Sequence, residues 1–281
     1  MRYFASLLLL GIALPFSSLA GSFISLPGWS ELSFERHSLW VTARATVSIE
    51  ARNDAQLGAV WKLRVEESVG ENHARETQLM NPGSMYLLQR SRLTSGRNSR
   101  LKEYRYAAGK VERIRREPDT SQELTPPGWP VSSRRDIAYP AFGENAVLTS
   151  MPALLLVAGS VVKAPGQTAT VYVHADLDFY RVQLSVVGEE QVEVDYSQTG
   201  GQQRVTGERT AIVVGLQVDP VGTPRDDPEF SLLGLESQVS ILLDQQSLLP
   251  LQVRGRAPRI GETYINLVAA DLHPPPGGEL P

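Results

Sequence analysis

The stretch "YVHADLDFY" (Tyr172 to Tyr180) holds the densest set of side chains able to do chemistry: one imidazole, two carboxylates and two phenols within nine residues. On an extended strand His174, Asp176 and Asp178 would share one face, flanked by Tyr172 and Tyr180. Neighbours at i and i+2 stand about 6.6 Å apart on a strand, so one metal ion reaches two of them only where the strand bends. Val171, Val173, Ala175, Leu177 and Phe179 alternate with them, and that alternation accounts for the polar set as a solvent-facing row. No catalytic residue and no metal ligand is assigned on this pattern, and no cofactor is expected. His37, His73 and His273 are scattered without ligand spacing. No GxSxG elbow, HExxH helix, P-loop or GxGxxG motif follows a strand. Glu189-Glu190 and Asp226-Asp227 lie in turn-like contexts. Glycosidase acids leave no local motif, so a hydrolase or lyase acting on envelope polysaccharide stays open as the alternative function.

A second cluster is built for binding. From Arg90 to Arg116 ten basic residues face only Glu103 and Glu112, a local excess of eight positive charges in a chain of net charge −4. In the hairpin "YRYAAGKVERIRR" (Tyr104 to Arg116), Arg105, Arg113, Arg115 and Arg116 stand beside Tyr104 and Tyr106. Guanidinium forks and phenols suit phosphate, sulfate or carboxylate oxygens. These six are the candidate ligand-binding residues. The partners that fit are lipid, lipopolysaccharide or anionic polysaccharide, or else another envelope protein. Nucleic acid does not suit an exported acidic chain. The competing reading is an edge strand whose charges discourage strand addition.

The N-terminus gives the compartment. Arg2, the apolar run from Phe4 to Phe16, and the small residues Ser18 and Ala20 follow the order of an export signal. Cleavage after Ala20 leaves a mature chain from Gly21, expected in the periplasm. The apolar run is shorter than the ~20 residues a spanning helix needs, and no later segment reaches that length. Cysteine is absent, which excludes disulfides, a thiol nucleophile, thiolate zinc sites and a lipid anchor on cysteine.

Period-two alternation dominates the rest. "LWVTARATVSIEAR" (Leu39 to Arg52) and "AVWKLRVEE" (Ala59 to Glu67) form a hairpin, and Met85 to Leu93 is entered through Asn81-Pro82-Gly83. Arg100 to Glu117 reverses at Ala108-Gly109. Residues 118–146, rich in proline and glycine, read as an irregular connector. "SMPALLLVAG" (Ser150 to Gly159) is the one helix: Ser150 caps it, Pro152 sits in its first turn, and its apolar residues surround it, so it is buried over 150–163. Strands resume at Ala169–Asp176, Phe179–Val187, Gln191–Ser197, Thr210–Val218, Gln238–Leu243, Leu249–Gly255 and Tyr264–Leu272. Pro250 is tolerated where the Leu249 return strand begins, because its absent N–H can lie at an edge. Residues 274–281 read as a disordered tail. The expectation is a single β-rich domain over 21–273, mainly β: a highly curved antiparallel sheet or open barrel wrapped around one short buried helix.

The hairpin "YRYAAGKVERIRRE", the helix "LTSMPALLLVAGSV" and the terminal "SILLDQQSLLPLQVRGRAPRIGETYINLVAADL" together resemble an uncharacterised family of exported Gram-negative bacterial proteins, a domain of unknown function. The resemblance runs from about Leu39 to Leu272. It implies a curved sheet around a short helix, similar to periplasmic lipoprotein carriers and their half-barrel relatives, and brings no catalytic residues. The function expected is non-enzymatic: an exported envelope protein that binds an apolar or amphipathic ligand, or a partner protein, on a concave sheet.

Overall fold

The computed structural model describes residues 26–37, 42–119, 125–143, 146–162, 168–198, 203–222 and 229–272. The export segment 1–20, residues 39–41, the Asp226-Asp227 pair, His273 and the tail 274–281 lie outside them. In the first half β1 (Glu31–His37), β2 (Thr42–Asp54), β3 (Gly58–Val69), β4 (Asn72–Met80), β5 (Leu87–Ser95), β6 (Arg100–Ala107), β7 (Lys110–Arg116) and β8 (Val131–Ala138) form a meander. The second half comprises β9 (Leu148–Thr149), α1 (Leu154–Val162), β10 (Thr168–Ala175), β11 (Asp178–Gln198), β12 (Gln203–Val221), β13 (Ser237–Asp244), β14 (Pro250–Ala257) and β15 (Gly261–Asp271).

All fifteen strands join one sheet in the order β8 to β1, then β15 back to β9. The chain is therefore mainly β: the described residues form one large curved sheet with one short α-helix. The pairings are antiparallel except β9 with β10 and the end of β11 with β15. That last pairing sets Ser197 and Gln198 of β11 beside Ala269 and Ala270 of β15. The sheet so bends back on itself over β12 to β14.

Residues 118–146 differ from the expected irregular connector, because they contain a turn of 3-10 helix (Pro126–Gly128) and β8. β8 alternates weakly, carrying Arg134, Arg135 and Asp136 exposed at the edge of the sheet, so no apolar period marks it. Pro250 is the first residue of β14, where the return strand is expected to begin, at a register shift between Leu242 and Leu243; β14 lies between β13 and β15 and not at an edge. Asp244 makes the turn before it, accepting hydrogen bonds from the Gln246 and Ser247 amides (3.1 and 2.8 Å).

The reversal at Ala108-Gly109 is as expected, with Gly109 at φ 80°, a region glycine enters without Cβ strain. In α1, Leu154, Leu155, Leu156, Val157, Ala158 and Val161 are all buried. Each buried Leu or Val contributes ~1.5–3 kcal/mol. The Ser150 hydroxyl accepts from the Ala153 amide at 3.4 Å, so the expected cap is present.

Candidate functional site

The register of the first half decides which side chains face inward. Ile49, Leu63, Gln78, Arg90, Tyr104 and Arg113 lie opposite one another across β2 to β7. Val47, Val65, Glu76, Arg92, Lys102 and Arg115 form the next row. The concave face is thus apolar on β2 and β3 and turns charged from β4 onward. The hairpin of β10 and β11 covers this charged part, and its burial dictates that every charge finds a partner.

Glu76 is the hub, 2% exposed. The Arg90 fork reaches it with Nε at 2.9 Å and Nη2 at 3.0 Å, Arg92 adds Nη1 at 3.0 Å, and Gln78 donates Nε2 at 2.5 Å. Arg90 also donates Nη1 to the His174 carbonyl at 2.9 Å and stands 5.0 Å from the Tyr104 ring centroid. Burial by itself would raise the Glu76 carboxyl, but Arg90 and Arg92 outweigh it and hold it at about 2. The Ser150 hydroxyl that caps α1 donates to the Gln78 carbonyl oxygen, tying the helix entrance into the same chain of bonds.

Asp176 is the second hub. It accepts from Lys102 Nζ (2.6 Å) and the Tyr104 hydroxyl (2.6 Å), and Arg113 Nε lies at 2.7 Å. Desolvation opposes its charge, yet the Lys102 and Tyr104 hydrogen bonds prevail and bring the carboxyl to about 2. His174 is fully buried, its Nδ1 2.9 Å from the Tyr106 hydroxyl, with the rings of Tyr104, Tyr106 and Phe179 around it. Among the described residues its Nε2 has no hydrogen-bond partner. Burial first, and the Arg90 charge second, push the imidazole down to about 3, so it is neutral.

The solvent-facing row expected for His174, Asp176 and Asp178 is therefore corrected. The chain reverses at Asp176-Leu177, with Asp176 at φ 45°, and Ala175 lies opposite Asp178. Alternation cannot continue through a turn, and β10 packs inward because its partners are the inward cations of β5 to β7. Among the described residues no group of three or more His, Asp or Glu is placed to hold a metal ion.

The six candidate ligand-binding residues do not form one surface. Tyr104, Tyr106 and Arg113 are buried in the network just described. Arg115 shares their face and pairs with Glu117. Arg105 and Arg116 point to the opposite face, where Arg105 is exposed and Arg116 holds Glu103 at 2.9 Å. A two-residue period explains the split: 113 and 115 fall on one face of β7 and 116 on the other. Sequence reasoning missed Glu76, Gln78, Arg90, Arg92 and Lys102 as a set. Their signal was present as the inward positions of a meander, but polar residues on both faces of β4 hid the strand itself.

A cleft of about 460 Å³ opens beside this network at one end of the curved sheet. Met151, Leu233 and Ile265 give it apolar lining, and Arg90, Arg92, Arg100 and Lys102 line it as well. Arg100 has no ion-pair partner among the described residues.

No family model matches the chain, and no curated protein matches it. Among solved structures, the crystal structure of a beta-barrel-like protein of domain of unknown function DUF1849 from Brucella abortus is similar, with a TM-score of 0.45 and 8% identity. The match covers 88% of this chain and 98% of that one. The likeness carries no family, ligand or activity to this chain. No helix among the described residues is long and apolar enough to cross a membrane.

Proposed function

We propose that this is an exported, non-enzymatic protein of the cell envelope, periplasmic after cleavage at Ala20, which seats an amphipathic anionic molecule in the mouth of its curved sheet. The observation that supports this reading is the cleft itself, where apolar Met151, Leu233 and Ile265 lie together with Arg100, which has no ion-pair partner among the described residues. α1 buries Leu154, Leu155, Leu156, Val157 and Val161 in the apolar interior, so the proposed ligand is placed at the mouth. An acyl chain would cover the apolar lining and its headgroup would meet Arg100, a charge-assisted contact in a partly dehydrated place.

The test is binding of a fluorescent fatty-acid anion, with an uncharged alkyl glucoside for comparison. The fatty acid should bind, more weakly as salt rises through the range where the Debye length falls below about 10 Å. Arg100→Glu should weaken it about tenfold, the loss of one hydrogen bond to a charged group. Equal binding by wild type and variant, or none by either, would overturn the cleft as the site. Export is tested separately: the periplasmic protein should begin at Gly21, and an intact Met1 would contradict it.

A further inference from the structure

A second concavity, of about 910 Å³, lies between the distal half of β11 and the strands β14 and β15. Its volume is within the ~300–1,000 Å³ of small-molecule sites. It is chemically unlike the cleft. In the β14–β15 register Gln252 lies opposite Asn266, Arg254 opposite Tyr264 and Arg256 opposite Glu262, so these six share one face. The intervening Val253, Ile265 and Leu267 are buried in the core. Ile265 lines the cleft of the proposed ligand, whereas Tyr264 and Asn266 line this groove.

The amide orientation on this face is fixed by its neighbours. The Gln252 carbonyl oxygen accepts from Arg254 Nε, so its nitrogen must be the atom that meets Asn266 Oδ1, at 2.6 Å. Arg254 is anchored in turn, with Nη1 2.5 Å from Glu190. With Oδ1 engaged, both N–H donors of the Asn266 amide stay without a partner among the described residues. Beside them Tyr264 is 56% exposed, an aromatic face on the surface of a strand. Glu193 and Glu262, which also line the groove, have no ion-pair partner among the described residues and offer acceptors.

We infer that this groove binds a hydroxyl-rich oligosaccharide that bears no acidic groups. Amide donors meet ring and hydroxyl oxygens, carboxylates accept from hydroxyls, and the tyrosine ring receives the C–H face of a sugar. The free carboxylates disfavour uronates and phosphates, which distinguishes this ligand from the anionic one of the cleft. An acyl chain fits poorly, since it would leave the Asn266 donors and both carboxylates dehydrated and unpaired.

The experiment titrates the purified protein with cellohexaose, with the β-1,4-linked hexamer of N-acetylglucosamine, and with a hexagalacturonate, read by calorimetry and by amide shifts in the NMR spectrum. At least one uncharged hexamer should bind with shifts on β14 and β15, and the hexagalacturonate should not. Tyr264→Ala should weaken binding about tenfold, the share of one aromatic contact. Glu262→Gln, which keeps the shape, gives a second variant and should weaken it as well. Fatty-acid binding in the cleft should be unchanged in both variants. No shift on β14 and β15 with either uncharged hexamer, tighter binding of the uronate, or variants that bind like wild type would each overturn the assignment.

Discussion

His174 makes a prediction that isolates one buried group. In the folded protein its imidazole is neutral, with a pKa near 3, whereas in the unfolded chain it returns to about 6.5. At pH 7 both states leave it mostly unprotonated. At pH 5 the unfolded chain has taken up the proton and the folded protein has not. The unfolded state binds more protons, so stability falls as pH falls. Integrating between the two values gives a loss of ~2 kcal/mol from pH 7 to pH 5.

The two carboxylates of the same network act in a lower window. Glu76 and Asp176, both held at about 2, lose their contribution only as pH drops below the ordinary carboxylate values and through 2. His37 and His73 are exposed. Urea denaturation at the two pH values should show the midpoint moving down with an unchanged slope, and melting should fall by ~4–8 °C for a protein this size. His174→Gln keeps a hydrogen-bonding side chain near Tyr106 and removes the titration, so most of the pH 7 to 5 difference should vanish whatever the variant's absolute stability. A wild-type difference under ~0.5 kcal/mol, or an unchanged difference in the variant, would refute a buried neutral imidazole.

Glu76→Gln should cost ~3–5 kcal/mol by leaving Arg90 buried without its countercharge, seen as a melt lower by roughly 10 °C or as failure to fold. Arg113→Gln should destabilise clearly, because it strips Asp176 of a buried partner, whereas Arg105→Gln on the exposed face should stay within about 0.5 kcal/mol of wild type. Equal melts for these two arginine variants would contradict the assignment of faces on β6 and β7. Leu155→Asp places a charge inside α1's apolar surroundings and should prevent folding or cost several kcal/mol, which circular dichroism and a thermal melt would record.

Much of the architecture was written locally. Alternation in β2 and β3, the glycine of the β6–β7 turn, and a capped helix with leucine on every side are properties of neighbouring residues. They follow from periods of 2 and 3.6 together with turn chemistry. Those patterns were sufficient for a curved, mainly β sheet around one buried helix. β4 escaped because its inward residues, Glu76 and Gln78, are polar, so the usual mark of a core face is missing.

The site itself was decided by tertiary structure. Arg90 and His174, or Asp176 and Lys102, are separated by 84 and 74 positions, and nothing local pairs them. The surplus of positive charge from Arg90 to Arg116 is plain in the chain, and it reads as a surface for anions. Only the register shows that Arg90 and Arg113 face inward, and only the folding of the β10–β11 hairpin over β4 to β7 supplies the carbonyl and carboxylate that meet them. Strand period assigns residues to two faces but does not say which face another part of the chain will cover. Here the covering strand turned cations from a candidate binding surface into internal cross-links between residues far apart in sequence.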